Sequence, residues 1–207
     1  MKKNIYFGKF IVFEGLDGSG QSTQVKFLSD FLKSEMNLNV LSTKEPTNLE
    51  VGQFIRDVLN RKYKVSPDAL QLLFSADRAD HLAKRIIPAL ERGEWVIGDR
   101  YAFSTFAFGS IDYCPLDWLM QINDFFLAPD LVFLLNVRPE ICLERIDSSR
   151  DKREFFEEKE KLERAWLGYE KVLATNLFNI IVIDGEKSVE EIAKEIRGHV
   201  IKNLSGK

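Results

Sequence analysis

The chain has 207 residues, of which 45% are hydrophobic and 29% charged, with a net charge of −3. This is ordinary globular composition and enough length for one domain. The charge balance argues against a protein built to coat a polyanion, so no nucleic-acid partner is expected and any phosphate contact must come from a local cluster of cations. Two cysteines, Cys114 and Cys142, give neither a disulfide framework nor a metal-ligand spacing.

In chain order, the basic start "MKKNIYFGKF" leads into a short apolar run that stops at Glu14. That run is too short for a secretory signal, and no stretch approaches the roughly 20 apolar residues of a membrane span. A cytoplasmic protein without a membrane partner is the expectation. "FIVFEG" from Phe10 reads as the first strand, and Gln21 to Met36 as a helix carrying Val25, Leu28, Phe31 and Leu32 on one face. "NVLSTKE" from Asn39 is the second strand. Ser66-Pro67 is an N-cap followed by proline at the first helical position, opening a helix towards Leu90 that Gly93 ends, with a kink or early stop possible at Pro88.

"EWVIGDR" from Glu94 is the third strand and "DLVFLLNV" from Asp130 the fourth. Helical patterns cover Pro115 to Leu127 and Pro139 to Ile146. The stretch from Arg145 to Leu173 is mostly a solvated helix of mixed charge, but Arg145, Arg150, Lys152 and Arg153 concentrate positive charge at its start, in a loop free to close over an anion. "NIIVID" from Asn179 is the fifth strand, and Ser188 with Glu191 forms a capping box before "IAKEI". Non-alternating strands separated by helices predict an α/β fold with a five-stranded parallel sheet flanked by helices.

The first strand runs into "GLDGSGQST", Gly15 to Thr23. Gly15, Gly20 and Ser22 fit the phosphate-loop pattern, but the lysine position holds Gln21. Glycines let successive backbone N–H groups turn towards phosphate oxygens at a helix N-terminus, and Ser22 can ligate Mg²⁺ through its hydroxyl. None of this requires the lysine. A plain strand-to-helix turn, with glycines for steric reasons, is the competing reading.

In a parallel sheet, ligands bind at the carboxyl ends of the strands. Glu14 and Asp99 would both emerge there, and either carboxylate can hold magnesium directly or through water. Arg100 can grip a phosphate in bidentate fashion. The alternative for Asp99 and Arg100 is a surface ion pair. Phe74, Phe103, Phe106 and Phe108 are expected to divide about equally between pocket and core. His81 and His199 show no ligand spacing and are expected at the surface or in structural roles.

"FEGLDGSGQST", "LLFSADR" (Leu72 to Arg78) and "DRYAFSTFAF" (Asp99 to Phe108), in this order and at these separations, resemble thymidylate kinases. "EPT" (Glu45 to Thr47) and "VIDGEKSVEEI" extend the resemblance over nearly the whole chain. It implies a P-loop nucleoside monophosphate kinase fold in a single domain, 1–207, with a mobile lid at about 145–158. It implies phosphorylation of dTMP to dTDP with ATP and Mg²⁺, by a homodimer.

The resemblance also assigns roles. Gly15, Leu16, Asp17, Gly18, Ser19, Gly20, Gln21, Ser22 and Thr23 would hold the ATP phosphates; Asp17 would also lie near the acceptor's sugar and phosphate. Ser22, Asp99 and Glu14 would be the metal positions. Glu45, Phe74, Arg78, Arg100, Ser104 and Phe108 would bind the acceptor, with Phe74 stacked on the base, Arg78 hydrogen-bonded to it and Arg100 on its phosphate. Asp17, Asp99, Arg100, Arg150 and Arg153 would form the catalytic set.

Two departures stand out. Gly109 replaces a polar residue that usually follows the aromatic at position 108, which weakens strict thymine preference. Gln21 replaces the loop lysine, and Gly18 stands where some relatives carry a loop arginine, so Arg150, Lys152 and Arg153 are expected to cover part of the missing charge. A kinase of the same fold for dUMP or a deoxynucleoside, or a nucleotide-binding protein silenced by Gln21, are the alternatives.

Overall fold

The computed structural model describes residues 1–111, 114–146, 152–176 and 178–204. Five strands, β1 (Phe10–Gly15), β2 (Val40–Lys44), β3 (Trp95–Asp99), β4 (Leu131–Asn136) and β5 (Ile180–Asp184), form one parallel sheet in the order β2-β3-β1-β4-β5. β1 is central and buried along its whole length. Its odd positions, Ile11 and Phe13, pack with Val25, Leu28 and Leu32 of α1 (Gln21–Ser34) and with Ile192, Ile196 and Val200 of α9 (Val189–Leu204). Its even positions, Phe10 and Val12, face the other layer, where Phe103 and Phe106 of α5 (Ala102–Ile111) meet Leu162 and Tyr169 of α8 (Lys152–Ala174). Burial on both faces is why these strands read as continuous apolar runs.

Several helix boundaries follow from local chemistry. Ser66 Oγ accepts from the Ala69 N–H and Pro67 opens α3 (Pro67–His81). Ser188 and Glu191 form the capping box of α9, with the Ser188 N–H donating to the Glu191 carboxylate at 3.1 Å. The helix after α3 does not run unbroken to Leu90. It widens into a π-helical turn at Leu82–Ile86 before α4 (Ile87–Glu91). Proline removes one helical donor and its ring crowds the carbonyl four residues back, here Lys84, inside that widened turn.

The expected helix over Pro115 to Leu127 is shorter, α6 (Leu116–Gln121). Asn123 is fully buried, and its side-chain amide donates to the Leu119 carbonyl at 2.7 Å, competing with the helical ladder. α7 (Pro139–Arg145) follows the proline cue. Two helices carried no expectation. α2 (Glu50–Leu59) contains Gly52, where a Cβ would lie 2.1 Å from the Thr47 carbonyl oxygen. α5 mixes apolar residues with Ser104, Thr105 and Ser110 without setting them on one face, so it lacks the one-sided pattern that marks a surface helix. Among the described residues no helix is long and apolar enough to cross a membrane.

Candidate active site

The strand order places the carboxyl ends of β1, β2 and β3 side by side. Phe13 pairs with Asp99, and Asp99 pairs with Lys44. The loop after β1, the acid ending β3 and the lysine ending β2 therefore share one edge of the sheet, the edge where parallel sheets bind ligands.

In the glycine loop, Gly18 and Gly20 have φ of 83° and 97°, values that favour glycine. At Gly18 a Cβ would lie 2.4 Å from the Cys142 carbonyl oxygen, so the loop packs against α7 with no room for a side chain. Asp17 and Gly18 to Thr23 line a cavity of about 490 Å³, together with Lys44, Arg100, Arg145 and Lys187. Four cations thus gather around the loop in a chain whose net charge is −3. Leu16 does not join them through its side chain, which is buried in the core. Gln21 is buried, and its Nε2 donates to the Gly15 carbonyl at 3.1 Å, inside the loop.

Ser22 Oγ donates to Asp99 Oδ2 at 2.6 Å, and Lys44 Nζ lies 3.2 Å from the same oxygen. Asp99 Oδ1 is buried and has no hydrogen-bond partner. One carboxylate oxygen without a partner beside a serine hydroxyl suits Mg²⁺, which commonly takes one or two carboxylates and completes its shell with water and phosphate. Among the described residues no group of three or more His, Cys, Asp or Glu gathers as an all-protein metal cage.

Glu14, expected as a metal position, is instead turned into the protein. Its Oε1 accepts from the Tyr101 N–H at 2.8 Å, and its Oε2 from Ser104 Oγ at 2.5 Å and the Tyr169 hydroxyl at 3.0 Å. Burial pushes its carboxyl up to about 7, against the opposing pull of those donors and of Arg100. With three internal donors on its two oxygens and only 1% of the residue exposed, this carboxyl is engaged within the protein. Its work is to hold the segment after β3 in place.

Arg100 adopts φ of 72°, a left-handed conformation uncommon away from glycine and costing on the order of 1–3 kcal/mol. Its guanidinium bonds the Gly15 carbonyl and Ser104 Oγ, both at 3.0 Å, and Asp17 Oδ1 at 2.7 Å. The conformational cost is thus sustained at a point where a cation bridges the two halves of the site.

A second cavity of about 270 Å³ adjoins this bridge, and all seven acceptor positions expected from the sequence line it: Asp17, Glu45, Phe74, Arg78, Arg100, Ser104 and Phe108. Phe74 and Phe108 are half-buried there, whereas Phe103 and Phe106 are core. Arg78 is 1% exposed and held by Glu45 Oε2 at 2.8 Å, Thr105 at 3.1 Å and the Asn123 side-chain oxygen. Glu45 also meets His81 Nδ1 at 3.1 Å, and His81 Nε2 lies 2.6 Å from Thr43 Oγ1. Glu45 is thus first an anchor for Arg78, and His81 is structural. His199 packs half-buried beside Phe133. A Cβ at Gly109 would lie 3.0 Å from the Gln71 side chain and from Leu119, tighter than ordinary contact, so these two side chains pack close against the glycine. Arg150 lies outside the described residues, and for Arg153 the description covers the backbone alone.

Tyr169 and Lys44 carried no sequence expectation as site residues. Gly168 was a usable signal, because glycine inside a helix costs about 1 kcal/mol and calls for a packing reason. The reason is close approach: a Cβ there would be 2.2 Å from the Ala107 carbonyl oxygen.

Comparison with known proteins agrees with this geometry. A family model described as thymidylate kinase matches residues 13–196. The chain is 38% identical over 204 residues to a probable thymidylate kinase of Pyrococcus abyssi (strain GE5 / Orsay), covering 96% of this chain and 98% of the relative. It is 40% identical to a probable thymidylate kinase of Methanococcus aeolicus, with 96% and 97% covered. To a thymidylate kinase of Carboxydothermus hydrogenoformans it is 36% identical over 210 residues, with 96% and 99% covered.

Proposed function

The chain belongs to the thymidylate kinase family, and from that premise we infer that it transfers the γ-phosphoryl group of ATP to dTMP, giving dTDP and ADP. The observation that carries this reading is the meeting of two cavities at Arg100 and Asp17, one lined by the glycine loop and one by Phe74, Arg78 and Phe108. Phosphoryl transfer needs little covalent chemistry from a protein. It needs donor and acceptor held in line and charge stabilised between them.

In this reading the glycine-loop N–H groups hold the ATP phosphates. Mg²⁺, held by Ser22 and Asp99, would neutralise phosphate charge when bound. Arg100 grips the acceptor phosphate, Phe74 stacks on the base, and Arg78, kept in place by Glu45, addresses the base edge. Asp17 competes with the acceptor phosphate for Arg100 and accepts from the sugar. Ser104 and Phe108 close the wall beside the sugar. Asp99, Arg100, Asp17 and the lid cations Arg150 and Arg153 form the catalytic set in this assignment, and residues 145–158 form the lid of a single domain. A homodimer fits the exposed apolar side chains of Phe54, Tyr63 and Leu72 on and beside α2 and α3; light scattering after size-exclusion chromatography tests it.

A coupled assay of ADP release with dTMP, ATP and Mg²⁺, run beside dUMP and thymidine as acceptors, tests the activity. Turnover with dTMP well above either competitor is expected. ADP release at the background rate with dTMP, or preference for thymidine, overturns the reading.

A further inference from the structure

We propose that Lys44 supplies the positive charge that the glycine loop lacks at Gln21, acting as a catalytic residue on the transferred phosphoryl group. The inference rests on the kinase reading above.

Gln21 itself cannot provide that charge. It opens α1, is buried, and its amide is engaged with the Gly15 carbonyl. Among the described residues, the other cations lining the loop cavity bond partners away from the Ser22–Asp99 pair. Arg100 bonds Gly15, Ser104 and Asp17; Arg145 donates to the Gly185 carbonyl at 3.1 Å; Lys187 pairs with Glu195 at 2.9 Å.

Lys44 differs in position and freedom. It is the last residue of β2 and the register partner of Asp99, so two extended strands set its origin. Its ammonium lies 3.2 Å from the Asp99 oxygen that Ser22 also bonds, and its side chain is 58% exposed. It lines both the glycine-loop cavity and the acceptor cavity. A phosphoryl group passing between them passes its ammonium. Lysine is a compact charge on a flexible stem with three donors, so it can keep Asp99 while taking a phosphate oxygen. Each N–H···O⁻ contact formed is charge-assisted and sits where charge shifts during transfer. A lysine normally rises from the helix to meet the phosphates; here it would descend from the neighbouring strand.

The test compares five forms of the full chain: the parent, Lys44→Met, Lys44→Arg, Gln21→Lys, and the Lys44→Met/Gln21→Lys double variant, each checked for an unchanged melting profile. Steady-state dTMP phosphorylation is expected to fall about 10²–10³-fold in Lys44→Met, the scale of losing one aimed electrostatic donor. The double variant is expected to recover at least tenfold, because a lysine at position 21 supplies the same charge. Lys44→Arg, which keeps the charge, is expected to stay within about tenfold of the parent. A loss under threefold in Lys44→Met overturns the proposal, as does a large loss that Gln21→Lys leaves unrepaired. If the parent fails to phosphorylate dTMP, the kinase reading fails. The role of Lys44 is then read by calorimetric titration with a non-hydrolysable ATP analogue: weaker binding by Lys44→Met supports the charge role, and equal binding refutes it.

Discussion

The hydroxyl of Tyr169 donates to the Glu14 carboxylate at 3.0 Å, joining two residues 155 positions apart in the sequence. The same hydroxyl lies 3.2 Å from the Gly15 carbonyl and 3.1 Å from Ser104 Oγ. One phenol from α8 thereby ties that helix to the first residue of the glycine loop. It can reach because Gly168 lets α8 settle against the Ala107 carbonyl.

Replacing that phenol by Tyr169→Phe leaves the ring packed and removes the hydroxyl. Buried acceptors left short of a donor typically cost about 1–3 kcal/mol. The melting temperature is expected to fall accordingly. Because the Tyr169 donor also lowers the Glu14 pKa, its loss is expected to move that titration upward. A melting temperature within error of the parent, with no upward movement, means the contact contributes nothing.

Glu14 itself gives stability a pH dependence of defined sign. Its carboxyl is raised by burial to about 7 in the folded chain and returns to 4.5 when unfolding exposes it. Between those values the folded state holds the extra proton, so this group's contribution is full below 4.5 and is lost as pH rises through 7. At about 1.4 kcal/mol per pH unit, the loss is on the order of 3 kcal/mol. Glu14→Gln removes the titration. Urea unfolding at pH 5 and pH 8 is expected to show the variant gaining on the parent by that order as pH rises. Parallel curves for the two proteins contradict the assignment.

The framework of this site was legible in the sequence because it is local. Five apolar runs, a Ser-Pro start and a Ser-Glu capping box each carry their signal within a few residues, and the glycine loop sits between the first strand and helix it serves. The residues from Glu45 to Phe108 that the resemblance assigns to the acceptor lie far apart in the chain, and the fold gathers them around one cavity. What stayed hidden depends on distant partners. Glu14 at a strand end looks like a metal ligand until Tyr101, Ser104 and Tyr169 are seen to fill it. Lys44 looks like a surface lysine until strand register sets it beside Asp99. Asn123 ends α6 early because of where its buried amide must bond. α5 lacks a polar face because protein covers it on several sides, with α3, α6 and α8 all packed against it.

Gly18 marks a limit on how the loop can be recharged. An arginine there would occupy a left-handed backbone, φ 83°, with its Cβ 2.4 Å from the Cys142 carbonyl oxygen. Left-handed strain alone is about 1–2 kcal/mol, and a backbone clash adds to it. Gly18→Arg is therefore expected to lose at least ~2 kcal/mol of stability and to show no gain in kcat. A stable variant with faster turnover means that α7 yields to the side chain, and that the loop is more adaptable than its packing indicates.

Under the proposed assignment, Phe74 should separate acceptor binding from donor binding. It sits on α3 one turn before Arg78, half-buried at the wall of the acceptor cavity and absent from the glycine-loop cavity. A base stacked on its ring gains aromatic contact as well as buried area, together roughly 1.5–3 kcal/mol for a ring of this size. Phe74→Ala is expected to raise the KM for dTMP by about 10- to 100-fold while leaving the KM for ATP within twofold, since each factor of ten corresponds to ~1.4 kcal/mol. The α3 face that holds Arg78 stays anchored by Glu45 and Asn123, so the loss should fall on the base and not on the fold. Equal increases in both KM values, or an unchanged KM for dTMP, place the base somewhere other than against Phe74.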